Sequence, residues 1–255
     1  MTRVIKIGGR AQASPELATR IAAAWKREPG SLCIVHGGGD QVSALQKSMG
    51  SEPSFIDGRR ITTREDLEIV RMVLSGVVNK QLVSTFAAAG VRAVGISGED
   101  GGLITARFLD RQRFGSVGKP IRANADLLEL LLDAGYLPVI SPLASEDGNP
   151  AEALNVNGDD AAAAVAIALR ASELLLVADV AGVLDSNDMV ISNLGRAEAT
   201  DLAQKGVVKK GMKAKLEAGF AALGGGVSKV RIADLDGLED SAAGTSLTLA
   251  QSLIT

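Results

Sequence analysis

The sequence predicts an α/β fold in which a mostly parallel sheet is covered on both faces by helices. Short, fully apolar runs such as Leu32-Cys33-Ile34-Val35 and Leu174-Leu175-Leu176-Val177 read as strands buried on both sides. Stretches with apolar residues at helical spacing separate them. Glycine or polar clusters follow the strands, where such sheets bind their ligands.

Val4-Ile5-Lys6-Ile7 forms the first strand, stopped by Gly8-Gly9. Ser14-Pro15 offers an N-cap with proline at the first helical position, and Leu17, Ile21, Ala24 and Trp25 follow at helical spacing until Pro29-Gly30. The second strand, 32–35, ends at His36-Gly37-Gly38-Gly39, and a helix begins near Asp40 and runs to Gly50. Residues 67–74 and 82–89 read as two helices, 93–96 as a strand, 127–134 as a helix and 137–140 as a strand. An Ala-rich helix over 159–169 precedes the strand 174–177; a helix over 213–223 and a strand over 229–233 complete the pattern.

A chain of 255 residues suffices for one large α/β domain or two closely joined lobes. A division near residue 170 is expected, with one set of ligand loops in 1–170 and another in 171–255. Aromatics are only 3%, so the core must be built from Ala, Val, Leu and Ile. Twenty-nine glycines point to loops where backbone approaches something closely. A net charge of −3, with both signs mixed along the chain, argues against a nucleic-acid partner and a polybasic membrane patch. The lone Cys33 excludes an internal disulfide framework and a Cys-based zinc site. There is neither a signal-peptide core nor a run approaching ~18 apolar residues, so a cytoplasmic location is expected.

Several clusters could carry chemistry. Lys6 followed by Gly8 and Gly9 can present a cation and bare amides to one anion, as phosphoryl transfer requires; a surface lysine before a tight turn fits equally. Gly37-Gly38-Gly39 suits an anion at a helix N-terminus or a packing turn, and is neither a dinucleotide fingerprint nor a Walker loop. Asn155, Asn157 and Asp159 alternate, so extended backbone would aim all three one way. A carboxylate there could hold two lysines, or Asp159 or Asn157 could cap the following helix. The lysines of 209–215 oppose a helix dipole, which hints at an anionic partner or a solvated basic face. Arg60 suits bidentate carboxylate recognition. His36, the only histidine, reads as structural, and Ser97 and Asp100 as pocket lining or a turn.

These pieces in this order resemble the amino-acid kinase family, most closely its acetylglutamate kinase branch. The resemblance rests on Lys6-Ile7-Gly8-Gly9, Val35-His36-Gly37-Gly38-Gly39, Gly58-Arg59-Arg60-Ile61-Thr62, Val78-Asn79-Lys80, Gly135-Tyr136-Leu137-Pro138-Val139, Asn155-Val156-Asn157-Gly158-Asp159, Ala178-Asp179-Val180-Ala181-Gly182-Val183-Leu184, Gly211-Met212-Lys213-Ala214-Lys215 and Gly244-Thr245. It implies a three-layer α/β/α sandwich with a mostly parallel central sheet, the N-terminal part binding an amino-acid substrate and the C-terminal part ATP. Lys6 and Lys215 would flank the transferring phosphoryl group, with Asp159 orienting both. Gly8, Gly9, Gly38 and Gly39 would donate backbone N–H groups to the phosphates and the attacked carboxylate. Arg60 would clamp the substrate α-carboxylate and Asn155 its polar backbone end. Asp179, Val180, Ala181, Gly182, Val183, Leu184, Val207, Val208, Lys209 and Met212 would line the nucleotide. Mg²⁺ would ride on the ATP phosphates rather than in a protein cage.

The implied reaction is phosphorylation of the side-chain carboxylate of N-acetylglutamate, in arginine biosynthesis. Residues 67–73, 95–101 and 225–230 also look like a related branch acting on aminoadipate or glutamate held by a small acidic carrier protein; Gly39 and Asn157 favour the acetylglutamate branch. A non-catalytic nucleotide sensor of the same fold is the remaining reading, opposed by the intact Lys6, Asp159 and Lys215. Arginine-inhibited relatives carry an extra helix before the first strand, so a homodimer without arginine feedback is expected.

Overall fold

The computed structural model describes residues 1–56, 58–208 and 210–249. Its strands are β1 (Arg3–Ile7), β2 (Leu32–His36), β3 (Phe55–Ile56), β4 (Arg59–Arg60), β5 (Ala93–Ser97), β6 (Ile104–Phe108), β7 (Val117–Ala123), β8 (Leu137–Ser141), β9 (Leu143–Glu146), β10 (Asn149–Val156), β11 (Glu173–Val177), β12 (Asn193–Gly195), β13 (Lys229–Ala233) and β14 (Thr245–Thr248). Eight of them form one sheet in the order β12-β14-β13-β11-β1-β2-β8-β5. Pairing is parallel from β13 across to β5; β14 runs antiparallel to β13.

Strand periodicity explains the three layers. Val4, Val35, Leu174 and Leu176 face one side, with the Ala-rich helix Gly158–Ala168 and the helix Lys210–Gly224. Ile5, Ile7, Ile34, Leu175 and Val177 face the other, against the helix Leu17–Arg27 and the helical run 64–88. The three-layer reading therefore holds. β11 pairs directly with β1, and β13 with β11, so the two sides of residue 170 share one sheet.

The register brings the ligand loops together. Lys6 lies opposite both Leu176 of β11 and Val35 of β2. The loops leaving β1, β2 and β11 thus emerge side by side at the carboxyl edge.

Two features differ from the sequence reading. Residues 64–88 form one uninterrupted helical run, not two helices: Arg64–Arg71, a π-helical segment Met72–Val78, and Asn79–Ala88. Ser75, Gly76, Val77 and Val78 are poor helix formers, and packing of Val73, Leu74 and Val78 into the core overrides that local preference. The segment presses on the loop after β2, because a Cβ on Gly38 would come within 2.7 Å of Leu74 Cδ2 and 3.1 Å of Val78 Cγ2. Second, β10, β7, β6 and β9 close into a small barrel that walls one side of the cleft. Its strands gave no clean alternation because their registers shift between Thr105 and Ala106 and between Asn149 and Ala153. Of the two capping residues the sequence offers, Asn157 caps the helix Gly158–Ala168 from extended backbone, its Oδ1 accepting from the Asp159 N–H at 2.9 Å and the Asp160 N–H at 3.4 Å, and Asp159 leaves the extended pattern inside the helix.

A buried ion network secures the far edge. Arg231 is 1% exposed; its Nε donates to Glu173 Oε1 at 2.6 Å and its other nitrogens to the carbonyls of Gly237, Asp240 and Ala243. Glu173 also accepts from Arg3 Nε at 2.7 Å. Burial alone would raise the Glu173 carboxyl, but the bonds and charges of Arg231 and Arg3 hold it below its ordinary value. Glu173→Ala leaves the Arg231 guanidinium buried without a counter-ion, so a loss of about 3–5 kcal/mol is expected in urea unfolding. A loss under about 1 kcal/mol would show that the carbonyls alone satisfy Arg231.

Candidate active site

Lys6 sits near the end of β1, where alternate neighbours are buried and its own side chain reaches the carboxyl edge of the sheet. Asp159 occupies the first turn of the helix Gly158–Ala168, an end that favours an acidic group. Lys215 lies in the second turn of the helix Lys210–Gly224. The two helices pack closely through small residues, including Ala161, Ala162 and Ala218. Lys6 Nζ lies 2.9 Å and Lys215 Nζ 3.0 Å from the same atom, Asp159 Oδ1. All three side chains are at least partly withdrawn from water, with exposures of 10%, 13% and 7%.

The electrostatics follow from that geometry. Burial would push the Asp159 carboxyl up, yet the two ammonium groups outweigh it and hold it at about 2. Lys215 moves down to about 8, chiefly through burial, with Asp159 opposing and Lys6 adding to the shift. Two cations share one anion, so the cluster keeps a positive charge for which it has no internal partner.

Glycines line the approach to Lys6. A Cβ on Gly158 would lie 3.2 Å from Lys6 Cε, one on Gly8 3.9 Å from Lys6 Nζ, and one on Gly9 3.5 Å from Asp40 Oδ2. Gly9 and Gly39 each open a helix, so their N–H groups are among the donors with no partner inside it.

Beside this cluster lies a cleft of about 190 Å³, lined by Gly38, Gly39, Arg60, Asn155 and Gly158 among others. Arg60 is 8% exposed. Its guanidinium donates to Gln46 Oε1, to Gly39 O at 2.8 Å and to Ser43 Oγ at 2.7 Å, and lies 4.7 Å from the Phe55 ring centre. No carboxylate among the described residues is within ion-pair reach of it. Burial lowers its pKa, with Asp66 and Asp40 acting the other way from a distance. Asn155 Nδ2 donates to Thr62 Oγ1 at 2.9 Å. Arg59 ties the β3–β4 hairpin to the helix after Asn157 through Asp160 Oδ2, 2.6 Å away.

The residues read as nucleotide-binding fall elsewhere. Asp179, Val180 and Ala181 are exposed just past β11, with Asp179 3.7 Å from Arg10 Nε. Gly182 and Val183 are buried: the Val183 N–H donates to Thr245 Oγ1 at 2.8 Å and its carbonyl accepts from Ile191 N–H. Val183 therefore supports this loop from the core. Leu184, Val207, Val208 and Met212 are half-buried, and Lys209 lies outside the described residues. Ser97 and Asp100 form a turn, the Ser97 N–H donating to Asp100 Oδ2 at 2.7 Å.

Residues 1–234 match the Amino acid kinase family. The chain belongs to that family. An acetylglutamate kinase of Methanopyrus kandleri is 43% identical over 245 residues, covering 92% of this chain and 96% of that protein. One from Ruegeria sp. is 41% identical over 234 residues, covering 91% and 81%. A crystal structure from Streptococcus mutans superposes with a TM-score of 0.87 at 30% identity, covering 98% and 99%.

Two residues of the site escaped the sequence reading. Gln46 and Ser43 hold Arg60, and Gln46 is itself fixed by Asp66 Oδ1 at 2.6 Å. Gln46 is 1% exposed on a helix whose other buried position is Val42; a lone glutamine on an apolar face was the available signal.

If Lys215 acts as a cation, kcat/KM should fall as pH rises through about 8, where the free enzyme loses that proton. The fall in kcat should come at higher pH, because bound phosphates favour the ammonium form. Initial rates between about pH 6 and 10 test this; a kcat/KM flat throughout would remove the charged role of Lys215.

Proposed function

We propose that the chain transfers the terminal phosphoryl group of ATP to the side-chain carboxylate of N-acetyl-L-glutamate, forming the acyl phosphate used in arginine biosynthesis. The observation that carries this reading is the single carboxylate oxygen that accepts both Lys6 and Lys215. The acetylglutamate kinase relatives, matched over nearly the whole chain, supply the substrate.

The residues present fit a polyphosphate. The cluster holds a surplus positive charge, and Gly8 and Gly9 offer backbone beside it. Lys6 and Lys215 lie on either side of Asp159 Oδ1 and would neutralise charge on the travelling phosphoryl oxygens. Asp159 keeps both ammonium groups in place before substrate arrives, so little reorganisation is needed during the reaction. Mg²⁺ supplies further charge neutralisation when bound with the nucleotide; Asp159, already engaged by two lysines, leaves it to the phosphates. The attacking group is a carboxylate and needs no general base. His36 matches this: it is buried and hydrogen-bonded at both ring nitrogens.

Arg60 is the proposed clamp for the substrate α-carboxylate, because it is a buried cation without a counter-ion on the cleft wall. Gly38, Gly39 and Asn155 would take the attacked carboxylate and the acylated backbone end. The loop 179–182 and Leu184, with Val207, Val208 and Met212, is the proposed nucleotide wall, supported from beneath by Val183. A homodimer in the cytoplasm completes the proposal. The alternative substrate, aminoadipate or glutamate held by a small acidic carrier protein, is a phosphoryl acceptor that the free-acid assay lacks.

ATP-dependent hydroxamate formation should proceed with N-acetylglutamate and be weak with glutamate or UMP. Lys215→Ala should lower kcat by roughly 10²–10³ with little change in KM. Arg60→Ala should instead raise the KM for N-acetylglutamate by about 10–100-fold, the scale of one charged hydrogen-bond set. No turnover of N-acetylglutamate by the intact protein would refute the substrate assignment.

A further inference from the structure

His36 and Asn79 are both fully buried beneath the glycine loop, yet neither belongs to the cleft wall or the lysine cluster. Their hydrogen bonds form a chain whose direction can be deduced. Lys80 Nζ has only donors, and it lies 3.0 Å from Asn79 Oδ1 and 2.8 Å from Gly95 O. Asn79 therefore turns its oxygen toward Lys80 and its Nδ2 inward. That nitrogen lies 3.2 Å from His36 Nε2, 2.9 Å from Val139 O and 3.4 Å from Ile96 O. Facing a donor, His36 Nε2 must carry the lone pair, which leaves the proton on Nδ1. Nδ1–H then donates to Gly37 O at 2.7 Å.

The consequence reaches the site through a rigid unit. The Gly37 carbonyl and the Gly38 N–H belong to one planar trans peptide and point in opposite directions. The Gly37 N–H is itself bonded to Ile7 O at 3.0 Å, beside Lys6. Leu74 and Val78 press on Gly38 from the π-helical segment. The tightness extends to Asn79: a Cβ on Gly95 would lie 1.9 Å from its Oδ1, so the amide packs against β5 in space that only a glycine leaves.

We propose that His36 and Asn79 are positioning residues for the transfer step: they lock the Gly37 carbonyl and thereby aim the Gly38 N–H at the attacked carboxylate. This rests on the kinase reading above. Burial lowers the His36 imidazole to about 4, with the Gly37 bond opposing and the Lys6 and Lys80 charges adding to the shift. Lys6 on β1 and Lys80 on the helix Asn79–Ala88 are the charged groups bearing on the ring. The imidazole thus stays neutral, one nitrogen donating and the other accepting.

Two measurements test the proposal separately from the substrate assignment. His36 is the only histidine, so ¹⁵N NMR of the intact protein reads a single imidazole. The expected spectrum shows a protonated Nδ1 and a bare Nε2, unchanged across neutral pH; an Nε2–H form, or titration near the ordinary histidine value, would overturn the hydrogen-bond chain whatever the substrate. In kinetics, His36→Leu should lower kcat by roughly tenfold or more, with KM for either substrate moving less than about threefold. His36→Asn, whose amide nitrogen can replace Nδ1–H, should recover most of that loss. Equal losses in both variants, or a loss confined to KM, would refute positioning.

Should His36→Leu fail to fold, Asn79→Asp gives an independent readout. A carboxylate facing Nε2 requires an N–H there, so the Gly37 bond survives only in the imidazolium. The kcat of Asn79→Asp should therefore fall as pH rises through a new histidine pKa, a break the unaltered protein lacks. A profile parallel to that of the unaltered protein would count against the relay.

Discussion

The architecture turns on one carboxylate oxygen. Asp159 Oδ1 accepts Lys6 from the first strand and Lys215 from the last long helix, so elements from the two halves of the chain meet at a single atom. Burying one charge is costly, and burying three is tolerable only when the geometry satisfies each of them. Here the lysines compensate Asp159 fully, while Asp159 compensates the lysines only in part. The surplus positive charge, sheltered from water, is what makes the site attractive to phosphate oxygens.

The scaffold is arranged around keeping that arrangement dry and close. Alanines on the helix Gly158–Ala168 let the helix Lys210–Gly224 approach, which delivers Lys215. Parallel pairing of β1 between β2 and β11 delivers Lys6 together with both loops that flank it. Arg60 repeats the same logic on the cleft wall: a buried guanidinium held by neutral oxygens and an aromatic face, with its charge left for a ligand. Preorganised cations with unfilled electrostatic demand thus mark both halves of the site.

Much of this was legible beforehand. Fully apolar runs announced the central strands because both faces of a parallel sheet are covered. Lys6, Asp159, Lys215 and Arg60 stood in the motifs that carry the family resemblance, and the resemblance implied that Asp159 holds both lysines, as the distances show. The barrel strands β6, β7, β9 and β10 were not legible, since register shifts destroy the alternation that marks a strand. Residues 75–81 read as a break because local preference disfavours helix there, while core contacts of Val73, Leu74 and Val78 hold it helical. Gln46 was missed, and Asn79 stood in a motif without a role, because a buried amide has no signature apart from the partners it satisfies.

By itself the sequence determined the layers, the order of the elements and the residue types able to hold a phosphoryl group, all of which depend on local pattern. Tertiary structure alone decided which atom the two lysines share, that Asn157 caps while Asp159 faces inward, and that Val183 lies under its loop. It also decided how Lys80, Asn79 and His36 connect. Those outcomes depend on distances between segments 170 residues and more apart in the chain, such as Arg3 and Glu173, and on which buried polar groups find each other. No local pattern encodes that pairing; it appears only when packing removes water and every donor must meet an acceptor.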